Sequence, residues 1–371
     1  MVLEELVLKN FRNYEHLALV PGSGTNVFYG ANAQGKTNML EAVFVLSRGG
    51  SQRAERDAEM IRWGSDSFLV KGRVGAGPRP LEIEVVFSEE KGKTVRVNGL
   101  PKRLVEYLSP EVKVVLFVPD DLQMVKGPAS LRRRFIDQEI SQVDPAYASG
   151  LSRYNKVLAQ RNALLRSGAS PRDPGVEVWT EQLIEYGTKL CRKRLATLRK
   201  ICPAARAIHS RFAEGEILDV TYRPSIPIAG DETDEEIQGV FGKRLQERAE
   251  EEQERGMTLV GPHRDDISFD IDGSDARHFG SQGQQRSIVV SMKVAELEYL
   301  RNETGYSPIL LLDDILSELD ASRRHGLLNT ITRDVQVLLT CTDYSPFESE
   351  LPIPTRYFRV SSGMLETDAG G

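Results

Sequence analysis

Cysteine is scarce: there are three in 371 residues, Cys191, Cys202 and Cys341, and no C-x-x-C spacing. An odd and scattered set argues against a disulfide framework and a thiolate zinc site, and for reduced thiols in a cytosol. Long apolar runs are missing too, so no membrane-spanning helix is expected. The start carries Glu4 and Glu5 where a secretory leader would have a basic segment and an apolar block, so no signal peptide is expected. Sustained heptads are absent, which excludes a long coiled coil. Internal repeats and low-complexity tracts are not seen. The base-reading motif Asn-Lys-x-Asp is lacking, since Asn155-Lys156 runs on into Val-Leu, and a GTPase is thereby disfavoured. Nor is there an excess of positive charge: 48 Lys and Arg face 54 Asp and Glu, a net −6. That balance alone does not indicate a nucleic-acid binder.

What remains is the composition of an ordinary globular protein, 40% hydrophobic and 27% charged. The length suits about two domains with substantial cores. Charge is unevenly spread. Residues 131–212 carry sixteen Lys and Arg against seven Asp and Glu, whereas 213–256 carry five against thirteen. A basic block followed by an acidic one suggests a positive face, although solvated helix exteriors account for part of it.

The most informative stretch is Gly30-Ala31-Asn32-Ala33-Gln34-Gly35-Lys36-Thr37, a complete match to G-x-x-x-x-G-K-[ST]. Two glycines let the backbone bend until successive N–H groups point at a polyphosphate. Lys36 adds a positive charge for the β and γ oxygens, and the Thr37 hydroxyl offers an oxygen to Mg²⁺. The context agrees. Thr25–Tyr29 reads as a buried strand entering the loop, and Thr37–Leu46 as a helix leaving it. Binding of a nucleoside triphosphate is the expectation.

Along the chain, alternation predicts strands at 2–10, 16–20, 68–74, 81–87, 94–97 and 112–118, with Asn98-Gly99 as a turn. From Asp120 to about Glu254 the pattern is mainly helical, with helices at 131–141, 147–166 and 176–201. Pro171 and Pro174 interrupt it, and Pro203 is expected to end the longest helix. A short β-like run spans 217–222. Strands return at 267–271, 309–312 and 335–340, with helices at 286–302 and 322–330, and 361–371 is expected to be a frayed tail. The resulting division is 1–119, a first part of a nucleotide-binding domain; 120–256, a helical insertion; and 257–371, its second part.

Ile309–Leu312 leads into Asp313-Asp314, a buried strand that delivers two carboxylates at its C-terminal end. Beside a phosphate loop, Asp313 suits the metal and Asp314 the attacking water. A bare Asp pair at a strand end would read as a cap; the phosphate loop turns the reading toward function. Ser281-Gln282-Gly283-Gln284-Gln285 precedes a helix, where backbone N–H groups and the dipole favour an anion. Capping requires only the serine, and the rest of the run exceeds that need.

Taken in order, these motifs resemble the ATP-binding-cassette head of the SMC-like class. Ser317-Glu-Leu-Asp320, Lys9–Tyr14, Pro119–Leu122 with Arg132–Phe135, and Gly261–Asp266 extend the likeness along essentially the whole chain to the RecF family of bacterial recombination mediators. The resemblance implies an α/β P-loop ATPase head split in sequence by a mainly helical, arm-like insertion. It implies ATP held between two protomers, with Lys36, Thr37, Asp313 and Asp314 of one and Ser281, Gly283 and Gln284 of the other. Asp320 would lie at the seam, and Arg12 and Asn13 would approach the phosphates. It further implies an ATP-driven homodimer that binds single-stranded, gapped or junction DNA, hydrolyses ATP slowly, acts with RecR and RecO to assist RecA loading, and supports the SOS response. Two departures from the transporter pattern stand out. Asp314 occupies the place of the usual glutamate, a shorter reach that implies slow hydrolysis. Thr342-Asp343 stands where transporters place a switch histidine.

DNA contact is the least determined part. Arg132, Arg133 and Arg134 are consecutive and cannot share one helix face, whereas Lys189, Arg192, Lys193 and Arg199 fall near one stripe. Such a stripe is a solvated face unless a partner claims it; with the resemblance, it favours phosphate contacts with little base reading. His263–Asp266 reads as a polar turn held by Arg–Asp bonds in preference to a metal or catalytic site. Two alternatives remain: a transporter ATPase subunit, which would need membrane partners, and the ATPase of a phage-exclusion nuclease, which would carry a further acidic domain.

Overall fold

The computed structural model describes every residue except 76–78, 103–110, 214, 331–333, 352–353 and 368–371. The chain divides into two compact units: Met1–Asp121, Arg211–Glu214 and Val289–Gly371 form one, Leu122–Ser210 and Gly215–Ile288 the other. In chain order the elements are β1 (Val2–Phe11), β2 (Tyr14–Leu19), β3 (Thr25–Tyr29), α1 (Lys36–Arg48), β4 (Ser67–Gly75), β5 (Leu81–Ser88), β6 (Gly92–Val97), β7 (Leu100–Lys102) and β8 (Val114–Phe117). The mainly helical stretch follows, with α2 (Gln123–Lys126), α3 (Ala129–Val143), α4 (Pro145–Arg166), α5 (Pro174–Phe212), β9 (Leu218–Arg223), α6 (Asp234–Glu247) and α7 (Ala249–Arg255). The last part holds β10 (Asp266–Ile271), β11 (Ser274–Asp275), α8 (Gln282–Thr304), β12 (Ile309–Asp313), α9 (Ile315–Glu318), α10 (Ala321–Thr330), β13 (Val337–Cys341), β14 (Thr355–Ser361) and β15 (Met364–Thr367).

The first unit contains two sheets. One is antiparallel, in the order β2-β1-β4-β5-β6-β7. The other runs β15-β14-β3-β13-β12-β8, with every pair parallel except β14–β15. The strands differ as their burial requires. β12 and β13 are continuous apolar runs buried at every position, as parallel strands covered on both faces must be. In β4 and β6, by contrast, buried positions alternate with half-buried or exposed ones. Helix α1 buries ten of its thirteen residues and packs on β1, β4 and β5 of one sheet and on β8, β12 and β13 of the other. A helix apolar on nearly all sides belongs between layers, and here it fixes the phosphate loop at its N-terminus.

In the second unit, α3 packs on α4 and on β10, and α4 on α7. A three-stranded antiparallel sheet runs in the order β11-β10-β9. That pairing moves one expected boundary. The return to the first unit was expected at 257, but β10 pairs with β9 from Asp266↔Arg223 to Ile271↔Leu218, so the second unit reaches Ile288. Two further expectations fail. Pro203 lies inside α5, which continues to Phe212. One missing backbone donor is offset there by the burial of Ile201, Ala205 and Ile208. The segment from Ser361 is not frayed throughout: β15 pairs with β14 from Phe358↔Thr367 to Ser361↔Met364, while residues 368–371 lie outside the described residues.

Candidate nucleotide site

β3 enters the loop at Gly30, whose φ of 149° and a would-be Cβ only 2.4 Å from the Val360 carbonyl oxygen exclude a side chain. Gly35 closes the loop at φ 115°, where a Cβ would stand 2.6 Å from Asn13 Nδ2. The loop is held from both flanks through its carbonyls. Gln34 O accepts from Asn13 Nδ2 (2.9 Å) and from the Gly363 N–H (3.0 Å), and Gly35 O accepts from the buried Tyr14 hydroxyl (3.0 Å). Gln34 Oε1 accepts from the Ser362 N–H at 2.7 Å. Lys36, the first residue of α1, donates from Nζ to Gly30 O (2.8 Å) and Ala31 O (2.9 Å). The N-cap position of α1 is Gly35, with no side-chain cap bond. The first-turn N–H groups therefore face an unfilled acceptor role, and a phosphate fits the cradle.

The second part of the site arrives on β12 and β13. Asp313 Oδ1 accepts two hydroxyl protons, from Thr37 Oγ1 at 2.8 Å and from Thr340 Oγ1 at 2.7 Å. Thr340 Oγ1 in turn accepts from the Asp314 N–H at 3.0 Å, so one hydroxyl on β13 orients both carboxylate residues. Asp314 sits at φ 53° in the left-handed region. Burial raises its carboxyl above the ordinary aspartate value, and neighbouring Asp313 and Glu318 push the same way against the pull of Lys36. Gln52 and Arg53 line a small cavity together with Thr37 and Asp313. The sequence reading missed Thr340, Gln52 and the Ser362–Gly363 turn; strand pairing reveals Thr340 and the turn, and the lining of the cavity reveals Gln52.

The remaining expected residues are placed as follows. Asn13 contacts the loop and also accepts from Asn38 Nδ2 at 2.9 Å. Arg12 is directed elsewhere, with a bidentate pair to Glu41 on α1 (2.9 and 2.6 Å) and a bond to the Glu59 carbonyl (2.7 Å). Asp320 accepts from the Arg323 N–H at 2.9 Å at the start of α10, and that bond holds its carboxyl below the usual range. In the second unit, Ser281 is exposed and caps α8 reciprocally: the Gln284 N–H donates to Ser281 Oγ (3.1 Å), and the Ser281 N–H donates to Gln284 Oε1 (2.9 Å). Gly283 follows within the same first turn.

The His263–Asp266 turn is a structural polar cluster, in keeping with its sequence. Asp265, fully buried, accepts from Arg194 (3.0 Å), the Ser225 N–H (2.8 Å) and the Tyr222 hydroxyl (2.5 Å). Asp266 takes a bidentate pair from Arg132 at 2.6 and 3.0 Å. The basic stripe on α5 is largely compensated: Lys189 pairs with Glu185, Arg192 with Asp234, and Lys193 with Asp144.

Comparison with known proteins gives a consistent result. The family described as RecF/RecN/SMC N terminal domain matches residues 2–351. A protein of Symbiobacterium thermophilum named DNA replication and repair protein RecF is 42% identical over 377 residues, covering 100% of both chains. One of Bacillus mycoides with the same name is 40% identical over 372 residues, covering 99% of each. Among solved structures, the recombination mediator protein RecF with ATP, of the RecFOR pathway, superposes with a TM-score of 0.90 at 32% identity, over 99% of this chain and 98% of that one. An Smc head bound to the C-terminal winged-helix domain of ScpA shares the fold alone, at a TM-score of 0.60 and 14% identity. The chain belongs to the RecF family, within the RecF/RecN/SMC N-terminal domain class of ATPase heads.

Proposed function

We propose that this chain is an ATP-dependent DNA-binding protein of recombinational repair and replication, in which ATP joins two copies into a clamp and slow hydrolysis releases them. The observation that carries the reading is the meeting of Thr37 Oγ1 and Asp313 Oδ1 at 2.8 Å, at the foot of a loop that no side chain at Gly30 could enter. Among the described residues no cluster of three or more His, Cys, Asp or Glu is arranged to hold a metal. Two protein oxygens, from Thr37 and Asp313, suit Mg²⁺, which takes few protein ligands and completes its shell with phosphate and water. When bound, that ion supplies charge neutralisation at the β and γ phosphates. Lys36 exchanges the carbonyls of Gly30 and Ala31 for phosphate oxygens. Asp314, oriented through Thr340, accepts a hydrogen bond from the attacking water. Ser281 of a second copy, at the tip of α8, brings a hydroxyl and helix-terminal amides to the terminal phosphate. The relatives' names, a DNA replication and repair protein and a recombination mediator of the RecFOR pathway, support a role in recombinational repair alongside RecO and RecR. Action at gapped or junction DNA, assistance to RecA loading and a contribution to the SOS response extend that reading.

Sedimentation velocity with ATP and Mg²⁺ tests the reading. Lys36→Ala should lose nucleotide binding, and Ser281→Arg should bind ATP as a monomer without dimerising. Normal ATP-driven dimerisation of Ser281→Arg would sink the shared site.

A further inference from the structure

We propose that Glu216 is a positioning residue for the signature serine; the inference rests on the reading that Ser281 closes the nucleotide site of a second copy. Gln284 links the two. Its Oε1 accepts from the Ser281 N–H at 2.9 Å, and its Nε2 donates to Glu216 Oε1 at 3.3 Å. The orientation of this amide follows from chemistry. A backbone N–H only donates and an ionised carboxylate only accepts, so the oxygen must face Ser281 and the nitrogen must face Glu216. With the carboxylate in place, a flipped amide would oppose two donors at one end and two acceptors at the other.

Glu216 also lies beside a buried ring. Its second oxygen is 3.4 Å from Nε2 of His209, a fully buried residue near the end of α5, a charge contact when the ring is protonated and not a hydrogen bond. The next residue, Ile217, exchanges two hydrogen bonds with Asp272 in the β10–β11 turn: the Ile217 N–H donates to Asp272 Oδ1 (2.9 Å), and the Asp272 N–H donates to Ile217 O (3.0 Å). Inside the helix start, Gln285 Nε2 donates to Ala276 O at 2.8 Å and anchors the same turn of α8 from its buried side. The Glu216 carboxylate thus meets Gln284 on one side and His209 on the other, and its neighbour Ile217 is tied to the β10–β11 turn. The carboxylate orients the amide that holds the backbone of an exposed serine. Without Glu216 the Gln284 amide is free to rotate, and the reciprocal cap is reduced to the bond on Ser281 Oγ. Nothing in the phosphate loop is touched, so binding of ATP by one copy and closure by the second should separate.

Full-length Glu216→Ala, Glu216→Gln, Gln284→Met and Ser281→Arg proteins, compared with the unmodified chain, provide the test. For each, ATP affinity of the monomer, thermal unfolding and ATP-driven dimerisation by sedimentation velocity are measured. Glu216→Ala should bind ATP within about twofold of the parent and unfold at the same temperature, yet require about tenfold more protein to dimerise, the scale of one lost charge-assisted hydrogen bond. Glu216→Gln should recover most of the loss, because its Oε1 still accepts from Gln284. Gln284→Met, which keeps the bulk and removes both amide bonds, should reproduce the defect even if Glu216→Ala folds poorly. If Glu216→Ala or Gln284→Met dimerises like the parent while Ser281→Arg does not, the positioning role is wrong and the shared site stands. Normal dimerisation of Ser281→Arg would remove both.

Discussion

Thr340 shows how much of the proposed catalytic arrangement can depend on a residue outside every motif. Its hydroxyl proton goes to Asp313 and its lone pair receives the Asp314 N–H, so the carboxylate proposed for the metal and the residue proposed to orient water share one support. Thr340→Val keeps the shape and removes both bonds. ATP affinity should change little, because Lys36, the loop and Thr37 are intact. Steady-state hydrolysis should fall by about tenfold, the scale expected for one misplaced hydrogen-bonding group. Single-turnover kinetics beside equilibrium ATP titration checks this, and an unchanged rate would show that Asp314 is oriented by other means. Sequence could not have singled out Thr340, because a threonine in a buried β-strand is ordinary until the register Asp313↔Thr340 sets it beside a carboxylate.

At the scale of elements, legibility followed the range of the interactions. The strand–loop–helix unit at 25–48 was readable because its signals are local: two glycines, a lysine and an apolar run. The strand carrying Asp313 was readable for the same reason. The boundary near 257 and the β14–β15 hairpin were not, since both depend on partners far away in sequence. β10 meets β9 across some forty residues, and the Ser362–Gly363 turn matters because it reaches Gln34. The His263 turn carries a consequence for pH. His263 Nδ1 lies 2.6 Å from the Tyr154 hydroxyl and Nε2 lies 3.1 Å from the Thr258 carbonyl, an arrangement that suits the neutral ring. Burial, first among the causes, lowers its pKa to about 4. The folded value lies below the unfolded one, so the unfolded chain takes up the proton first as pH falls. The contribution is complete above about pH 6.5 and is lost progressively toward pH 4, on the order of 3 kcal/mol in all. Denaturant unfolding from pH 7.5 to 4.5 should show that slope, and His263→Gln should flatten it; equal slopes would place the titration elsewhere.

For the whole molecule the question is how an acidic chain would hold DNA as proposed. A net charge of −6 repels a phosphate backbone at long range, and much of the basic stripe on α5 is already matched by Glu185, Asp234 and Asp144. On the proposed reading a single copy binds a polyanion weakly, and a pairing that doubles the number of short-range contacts offsets the repulsion. This makes nucleotide state and salt dependence one measurement. The slope of log K against log salt counts released counterions at about 0.9 per phosphate contacted in duplex DNA. With ATP and Mg²⁺ the protein should bind gapped duplex more tightly than with ADP or no nucleotide, and its slope should be roughly twice as steep, because two copies present their contacts together. Ser281→Arg with ATP should give the shallow slope of the nucleotide-free protein although its phosphate loop is filled. A slope independent of nucleotide would mean that one copy carries the whole DNA surface. In that case the role of ATP would have to be sought in the choice of DNA structure or partner, because grip would then owe nothing to dimerisation.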